Sequence, residues 1–221
     1  MKIHKFIDHT LLKPTATEKD IQQLCNEAIE HDFFSVCVNS CHVTLAKKCL
    51  QNNDSVYVCS VIGFPLGAMS TAAKVAELKL ANEDGADEFD MVINIGWLTS
   101  GKYNLVKEEI KQLKLAAGNK VLKVIIETCY LTDEEKTKAS ELAVEAGADF
   151  VKTSTGFGIG GATLADITIM KTAVNEKAKL KASGGIRDYE TAKKYIDAGV
   201  SRLGTSNGIA IITGTPSKNT Y

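Results

Sequence analysis

The chain has no excess of either charge. Its 26 Lys and Arg residues stand against 27 Asp and Glu, a formal net charge of −1, with no long run of one sign. A protein that grips a polyanion needs a basic face, so nucleic acid is not expected as a partner and any basic site must be local. Long apolar runs are missing too. No segment approaches the roughly 20 apolar residues that span a bilayer, and the opening MKIHKFIDHTLLKPT has no continuous apolar stretch of an export signal. These absences point away from membranes and to a cytoplasmic protein. Histidines are few and scattered (His4, His9, His31, His42), which leaves no clustered His/Asp/Glu set for a metal. Cys37, Cys41 and His42 lie close in sequence but lack a fourth ligand and the usual paired spacing. Most of the six cysteines sit inside apolar patterns, as buried thiols do in a reducing compartment, so disulfides are not expected. No Pro/Gly/Ser-rich linker interrupts the chain.

What is there is a filled globular composition, 44% hydrophobic in 221 residues, enough for one domain spanning 1–221 with a short C-terminal segment and tail at 208–221. Short β-branched runs alternate with amphipathic stretches, the pattern of a parallel α/β sheet. Strands are expected at 35–39, 56–63, 88–94, 122–128, 150–154, 180–184 and 202–206, with a weaker one at 6–10. Between them Ile21, Leu24, Cys25, Ala28 and Ile29, and later Ala139, Leu142, Ala143 and Ala146, fall at helical spacing. Thr132 with Glu135 and Thr163 with Asp166 have the spacing of a capping box. The phrases EDGAD at 83–87, EAGAD at 145–149 and DAGVS at 197–201 each place a glycine at a helix end before a strand. This near-repetition favours a single (β/α)8 TIM barrel; seven strands in an open sheet are the alternative. In either, the site belongs at the carboxyl ends of the strands.

Four strands carry an ionisable residue amid apolar neighbours: Asp90, Lys123, Lys152 and Lys181. Pointing inward, they are desolvated at a cost of several kcal/mol per unpaired ion, so they must pair with one another or shift their pKa values. A lysine attacks a carbonyl only as the neutral amine, and burial beside a second cation favours that form. Structural ion pairing would account for any one of these lysines alone. The set suggests a Schiff-base nucleophile with a carboxylate nearby to move protons. Small, hydroxyl-bearing loops follow the sixth to eighth strands: STGFG at 154–158, SGGIR at 183–187 and GTSNG at 204–208. Glycines there either make tight turns or let backbone N–H groups ring a phosphate, which this barrel commonly binds after its seventh and eighth strands.

The phrases IDHTLLKP (7–14), EFDMVIN (88–94), LKVIIET (122–128), FVKTSTGF (150–157), KASGGIR (181–187) and RLGTS (202–206) together resemble the deoxyribose-phosphate aldolase family, in family order along nearly the whole chain. The resemblance implies a TIM barrel and a lyase that cleaves 2-deoxy-D-ribose 5-phosphate to acetaldehyde and D-glyceraldehyde 3-phosphate, in deoxynucleoside catabolism, with no metal or cofactor. By motif position, Lys152 would form the Schiff base. Lys181 would lower the pKa of Lys152 and relay protons, and Asp90 would act with a water as acid/base. Gly184, Gly185, Gly204 and Ser206 would hold the phosphate, while Asp8, Thr10 and Lys123 would line the pocket. The partners implied are phosphosugar and aldehyde substrates and further copies of the chain, as a dimer or tetramer. Two departures stand out: Asn207 replaces the serine many members carry, and Tyr221, matching a terminal tyrosine of the family, sits behind a tail rich in small and polar residues. Cys37 is a further candidate for facing the pocket. His9, adjacent to Asp8 in a strand, should face the opposite side and is read as structural. A phosphosugar isomerase or epimerase of the same fold would share the phosphate loops but need a carboxylate base. A silent phosphosugar-binding protein would not need the paired lysines.

Overall fold

The computed structural model describes residues 2–215. Eight parallel strands alternate with helices: β1 (Ile7–Leu11), α1 (Glu18–Glu30), β2 (Ser35–Val38), α2 (Val43–Cys49), β3 (Tyr57–Ile62), α3 (Thr71–Glu83), β4 (Glu88–Val92), α4 (Ile95–Thr99), α5 (Tyr103–Ala117), β5 (Val121–Ile125), α6 (Asp133–Glu145), β6 (Phe150–Lys152), α7 (Leu164–Val174), β7 (Lys179–Ser183), α8 (Tyr189–Asp197), β8 (Arg202–Thr205) and α9 (Gly208–Thr213). Each strand pairs with the next, and β1 pairs with β8 through Ile7 opposite Leu203 and Asp8 opposite Gly204. That last pairing closes the sheet into a TIM barrel and sets aside the open-sheet alternative. None of the described helices is long and apolar enough to cross a membrane.

Alternation along each strand sends one set of side chains out to the helices and the other into the barrel. Val36, Val58, Phe89, Met91, Val124, Val151 and Leu203 face out and join Ile21, Leu78, Ile110, Leu142 and Ile167 of the helices in one continuous core. Ile29, expected on the buried face of α1, is instead 38% exposed. Inside the barrel a small apolar cluster of Leu12, Cys37, Cys59 and Val61 and the paired Val92 and Ile125 stand beside a set of charged side chains.

Helix ends follow the sequence closely. Thr132 and Glu135 form the reciprocal capping box of α6, and Thr17 and Asp20 form another at α1 that the sequence reading passed over. At α7, Thr163 accepts from the Asp166 N–H at 3.1 Å, but the Asp166 carboxylate turns to Lys136 at 2.8 Å, so only half of the expected box forms. Gly85, Gly147 and Gly199 end their helices at positive φ, where a Cβ would be strained. β4, β5 and β6 stop two or three residues early, β6 at Lys152. β4 gives way at Asn94, whose side chain caps α4 by accepting from the Trp97 N–H, and β5 ends before Glu127, which takes a left-handed conformation.

Thr132 is exposed and is not among the residues that line the main cleft. Thr132→Ala is expected to lower unfolding free energy by about 1 kcal/mol with catalytic constants unchanged, as read by urea denaturation beside a turnover assay.

Candidate active site

The interior strand positions bring three carboxylates and four basic side chains into one buried network. Asp90, fully buried on β4, takes Lys123 on Oδ1 at 2.9 Å, and both Lys152 at 2.8 Å and Lys181 at 2.7 Å on Oδ2. The Cys59 thiol donates to Oδ1 at 3.2 Å. Asp8 accepts from Arg202 Nε and from the Ser35 hydroxyl, each at 2.7 Å, and also meets the Lys181 ammonium. Glu88 closes the ring, bound to Lys123 at 2.7 Å and to the Arg202 guanidinium, which stacks 3.4 Å from the Phe34 ring centroid. The sequence showed Asp90 and the lysines. It did not show that Glu88 and Arg202, at the first positions of β4 and β8, belong to the same set.

Burial opposes every charge here, so each is kept only by its neighbours. For Asp90 burial is outweighed by Lys123, Lys152 and Lys181, which hold its carboxyl well below the usual range; for Asp8 it is outweighed chiefly by Arg202 and Lys181. Burial would likewise lower Lys181, yet Asp8 and Asp90 raise it above the ordinary lysine value, and Asp90 does the same for Lys123. Lys181 is thus a fixed cation beside Lys152. If all were charged, the network would hold four cations against three carboxylates.

A cleft opens above the network at the carboxyl ends of the strands. Residues 155–157, 183–187 and 204–207 line it, with Thr10, Leu12 and Lys152. Of the residues singled out in the sequence, Thr10, Lys152, Gly184, Gly185, Gly204, Ser206 and Asn207 reach this cleft. Asp90 and Lys181 lie directly behind Lys152. Asp8 and Lys123, expected along the pocket wall, are fully buried beneath it, as is Cys37, the register partner of Cys59. Tyr221 falls outside the described residues. His9 faces away from the barrel, bonded to Glu27 at 2.8 Å and packed on Phe33, as its place beside Asp8 required. Thr155 and Arg187 also line the cleft; they lie in the STGFG and SGGIR loops that the sequence offered for a phosphate, without having been named individually.

The glycines serve close packing. A Cβ on Gly204 would meet Ser183 Cβ at 3.0 Å and Lys181 Cε at 3.2 Å, so Gly204 is what lets the Lys181 side chain pass. Gly184 has φ +85° and leaves only 2.9 Å between such a Cβ and Gly161 Cα. Gly185, at φ +80°, has open space instead. Cys37, Cys59 and Asp90 come near enough to share a metal ion, but both Asp90 oxygens are engaged by ammonium groups, whose charge opposes a cation there.

A model of the DeoC/LacD family aldolases matches residues 2–213. The chain is 58% identical over 214 residues to the deoxyribose-phosphate aldolase of Finegoldia magna, covering 97% of this chain and 100% of that one. It is 59% identical over 224 residues to that of Carboxydothermus hydrogenoformans, covering 100% and 98%. Among solved structures, the aldolase QR15 superposes with a TM-score of 0.91 at 47% identity, covering 95% of this chain and 93% of that one. The tetrameric deoxyribose phosphate aldolase of Aeropyrum pernix superposes at 0.88 with 31% identity, covering 95% and 89%.

Asp90→Asn would leave three ammonium groups short of one carboxylate and is expected to cost about 3–5 kcal/mol. A carboxyl with a lowered folded pKa stabilises fully above its unfolded value of about 3.9 and loses that contribution as pH falls toward the folded value. Urea unfolding across pH 3 to 7 is therefore expected to show a lower plateau and a shallower acid-side decline in the variant. Equal plateaus would contradict the ion network.

Proposed function

Because the chain belongs to the DeoC/LacD family of aldolases, we propose that it cleaves 2-deoxy-D-ribose 5-phosphate reversibly to acetaldehyde and D-glyceraldehyde 3-phosphate through a Schiff base on Lys152. The observation that carries the assignment is that Lys152 alone among the four basic residues of the network lines the cleft, while Lys123, Lys181 and Arg202 stay behind it. Lys152 touches one carboxylate, whereas Lys123 and Lys181 each touch two. The network has one basic group more than it has carboxylates, and Lys152 is the lysine that meets a single carboxylate.

The neutral amine adds to C1 of the open-chain sugar, giving a carbinolamine that loses water to form an iminium. The iminium draws electrons from the C2–C3 bond as the C3 hydroxyl gives up its proton. Acetaldehyde keeps two carbons, so the break lies there and not at C3–C4. Glyceraldehyde 3-phosphate leaves, the enamine takes a proton at C2, and water returns the amine. Lys181 supplies fixed positive charge beside the nitrogen. Asp90, an anion that binds both amines through one oxygen, accepts and returns protons with a water. Gly184, Gly185, Gly204 and Ser206 hold the phosphate, with Asn207 beside them and the Arg187 guanidinium at the rim. The iminium serves as the electron sink, so these steps call on no cofactor. An isomerase or epimerase would need a carboxylate base in direct contact with substrate, and none of Asp8, Glu88 and Asp90 lines the cleft, where Asp90 acts only through a water. The Aeropyrum pernix relative is a tetramer, which supports a homo-oligomer here, acting in the cytoplasm.

Incubation with acetaldehyde and sodium borohydride, with and without EDTA, is expected to add one ethyl group, about 28 Da, at Lys152 in both samples. Lys152→Ala should lose cleavage and trapping together. An adduct at Lys181 would exchange the roles of the two lysines, and no adduct would refute the Schiff base.

A further inference from the structure

One buried carboxylate at the barrel mouth has no part in the chemistry so far. Glu127, 1% exposed, follows β5 with φ 53° and ψ 66°, a left-handed conformation that costs a non-glycine side chain about 1–2 kcal/mol. That backbone turns the carboxylate across to the loop after β6. Both oxygens accept the Thr155 N–H at 3.2 Å, and Oε2 also accepts the Thr155 hydroxyl. The same hydroxyl accepts from the Phe157 N–H at 3.0 Å. The loop closes tightly over this contact: a Cβ on Gly158 would lie 3.4 Å from the Glu127 carboxyl carbon and 2.9 Å from Cys129 Sγ. Thr155 and Lys152 line the same cleft.

We propose that Glu127 is a positioning residue of the aldolase reaction, fixing Thr155 beside the Lys152 amine as a hydrogen-bond acceptor for a substrate hydroxyl. The inference rests on the aldolase reading above. A hydroxyl has one proton and two lone pairs. Glu127 takes the proton of Thr155 and the Phe157 N–H takes one lone pair, which leaves one lone pair for the cleft. Thr155 therefore accepts and does not donate, and its orientation is set from behind by a group that never meets substrate. Burial raises the Glu127 pKa against these bonds, so the carboxyl is kept at a cost that a surface loop anchor would not carry.

The test measures kcat, KM and melting temperature for Glu127→Ala, Glu127→Gln, Thr155→Val and the Glu127→Ala/Thr155→Val double variant on deoxyribose 5-phosphate. Glu127→Ala is expected to lower kcat about 100-fold, with KM changed far less, as misplaced groups do. Glu127→Gln, whose amide oxygen accepts the same N–H and O–H, should recover to within about fivefold of wild type, and the double variant should match Thr155→Val within about threefold. Wild-type kcat in Glu127→Ala, no rescue by Gln, or losses that multiply in the double variant would overturn the proposal. Should the alanine variant fail to fold, Glu127→Asp keeps the charge and withdraws it by one methylene; a kcat at least about tenfold lower is expected, and an unchanged kcat overturns. Wild-type protein without cleavage or Lys152 trapping would instead refute the aldolase reading, before any variant is made.

Discussion

Asp90 is the point on which the interior turns. A barrel of eight strands has a floor and walls to fill, usually with branched aliphatic side chains; here β4 offers a carboxylate and three other strands direct ammonium groups at it. None of those lysines could be buried alone. With Asp90 in place they become neighbours whose charges are mutually dependent, and Glu88, Asp8 and Arg202 extend the set until every member but Lys152 has at least two partners of opposite charge. The apolar core is displaced accordingly. It lies between sheet and helices, where the outward halves of the strands meet the helical faces, so the apolar core and the ionic set occupy opposite sides of the same strands.

Strand register does the positioning. Asp90 sits directly across from Lys123, and Lys152 directly across from Lys181, as paired residues of adjacent parallel strands. Each pair is fixed laterally by backbone hydrogen bonds, and Asp90 then joins the two pairs through its second oxygen. A slip of one residue in any of these strands would turn its charged side chain out into the apolar helical layer. The ionic set and the closed register therefore enforce each other. Gly204 completes the arrangement by leaving room for the Lys181 side chain where any Cβ would crowd it.

Much of this was legible in the residues, for a physical reason. A charge in the middle of an apolar strand breaks a pattern, and Asp90, Lys123, Lys152 and Lys181 each did so. Helix ends were legible because caps are local: Thr132 with Glu135 needs only its own turn. Glu88 and Arg202 were not seen because they stand at strand starts, where a charge is ordinary. The Thr163–Asp166 spacing promised more than it delivered, since Lys136 on a neighbouring helix competes for the carboxylate. Asp8 and Lys123 were placed at the pocket wall because sequence gives a residue's strand and side but not its depth; depth follows from strand stagger, which only the closed barrel fixes. Glu127 was the hardest. Its contact depends on a left-handed backbone and on a loop 28 residues away in sequence, and neither leaves a periodic trace.

Depth also separates the three lysines. Lys123, Lys152 and Lys181 are chemically identical and share one carboxylate, yet Lys123 and Lys181 each gain a second carboxylate lower in the barrel, from Glu88 and Asp8. Lys152, on the strand whose last residue it is, extends toward the cleft and gains none. Lys152 thus meets the fewest carboxylates of the three and is the one that lines the cleft. Their carboxylates hold the two deeper lysines above the ordinary lysine value against burial. What sets Lys152 apart is the number of carboxylates at its height in the barrel together with its reach into the cleft, both fixed by its place at the last position of its strand.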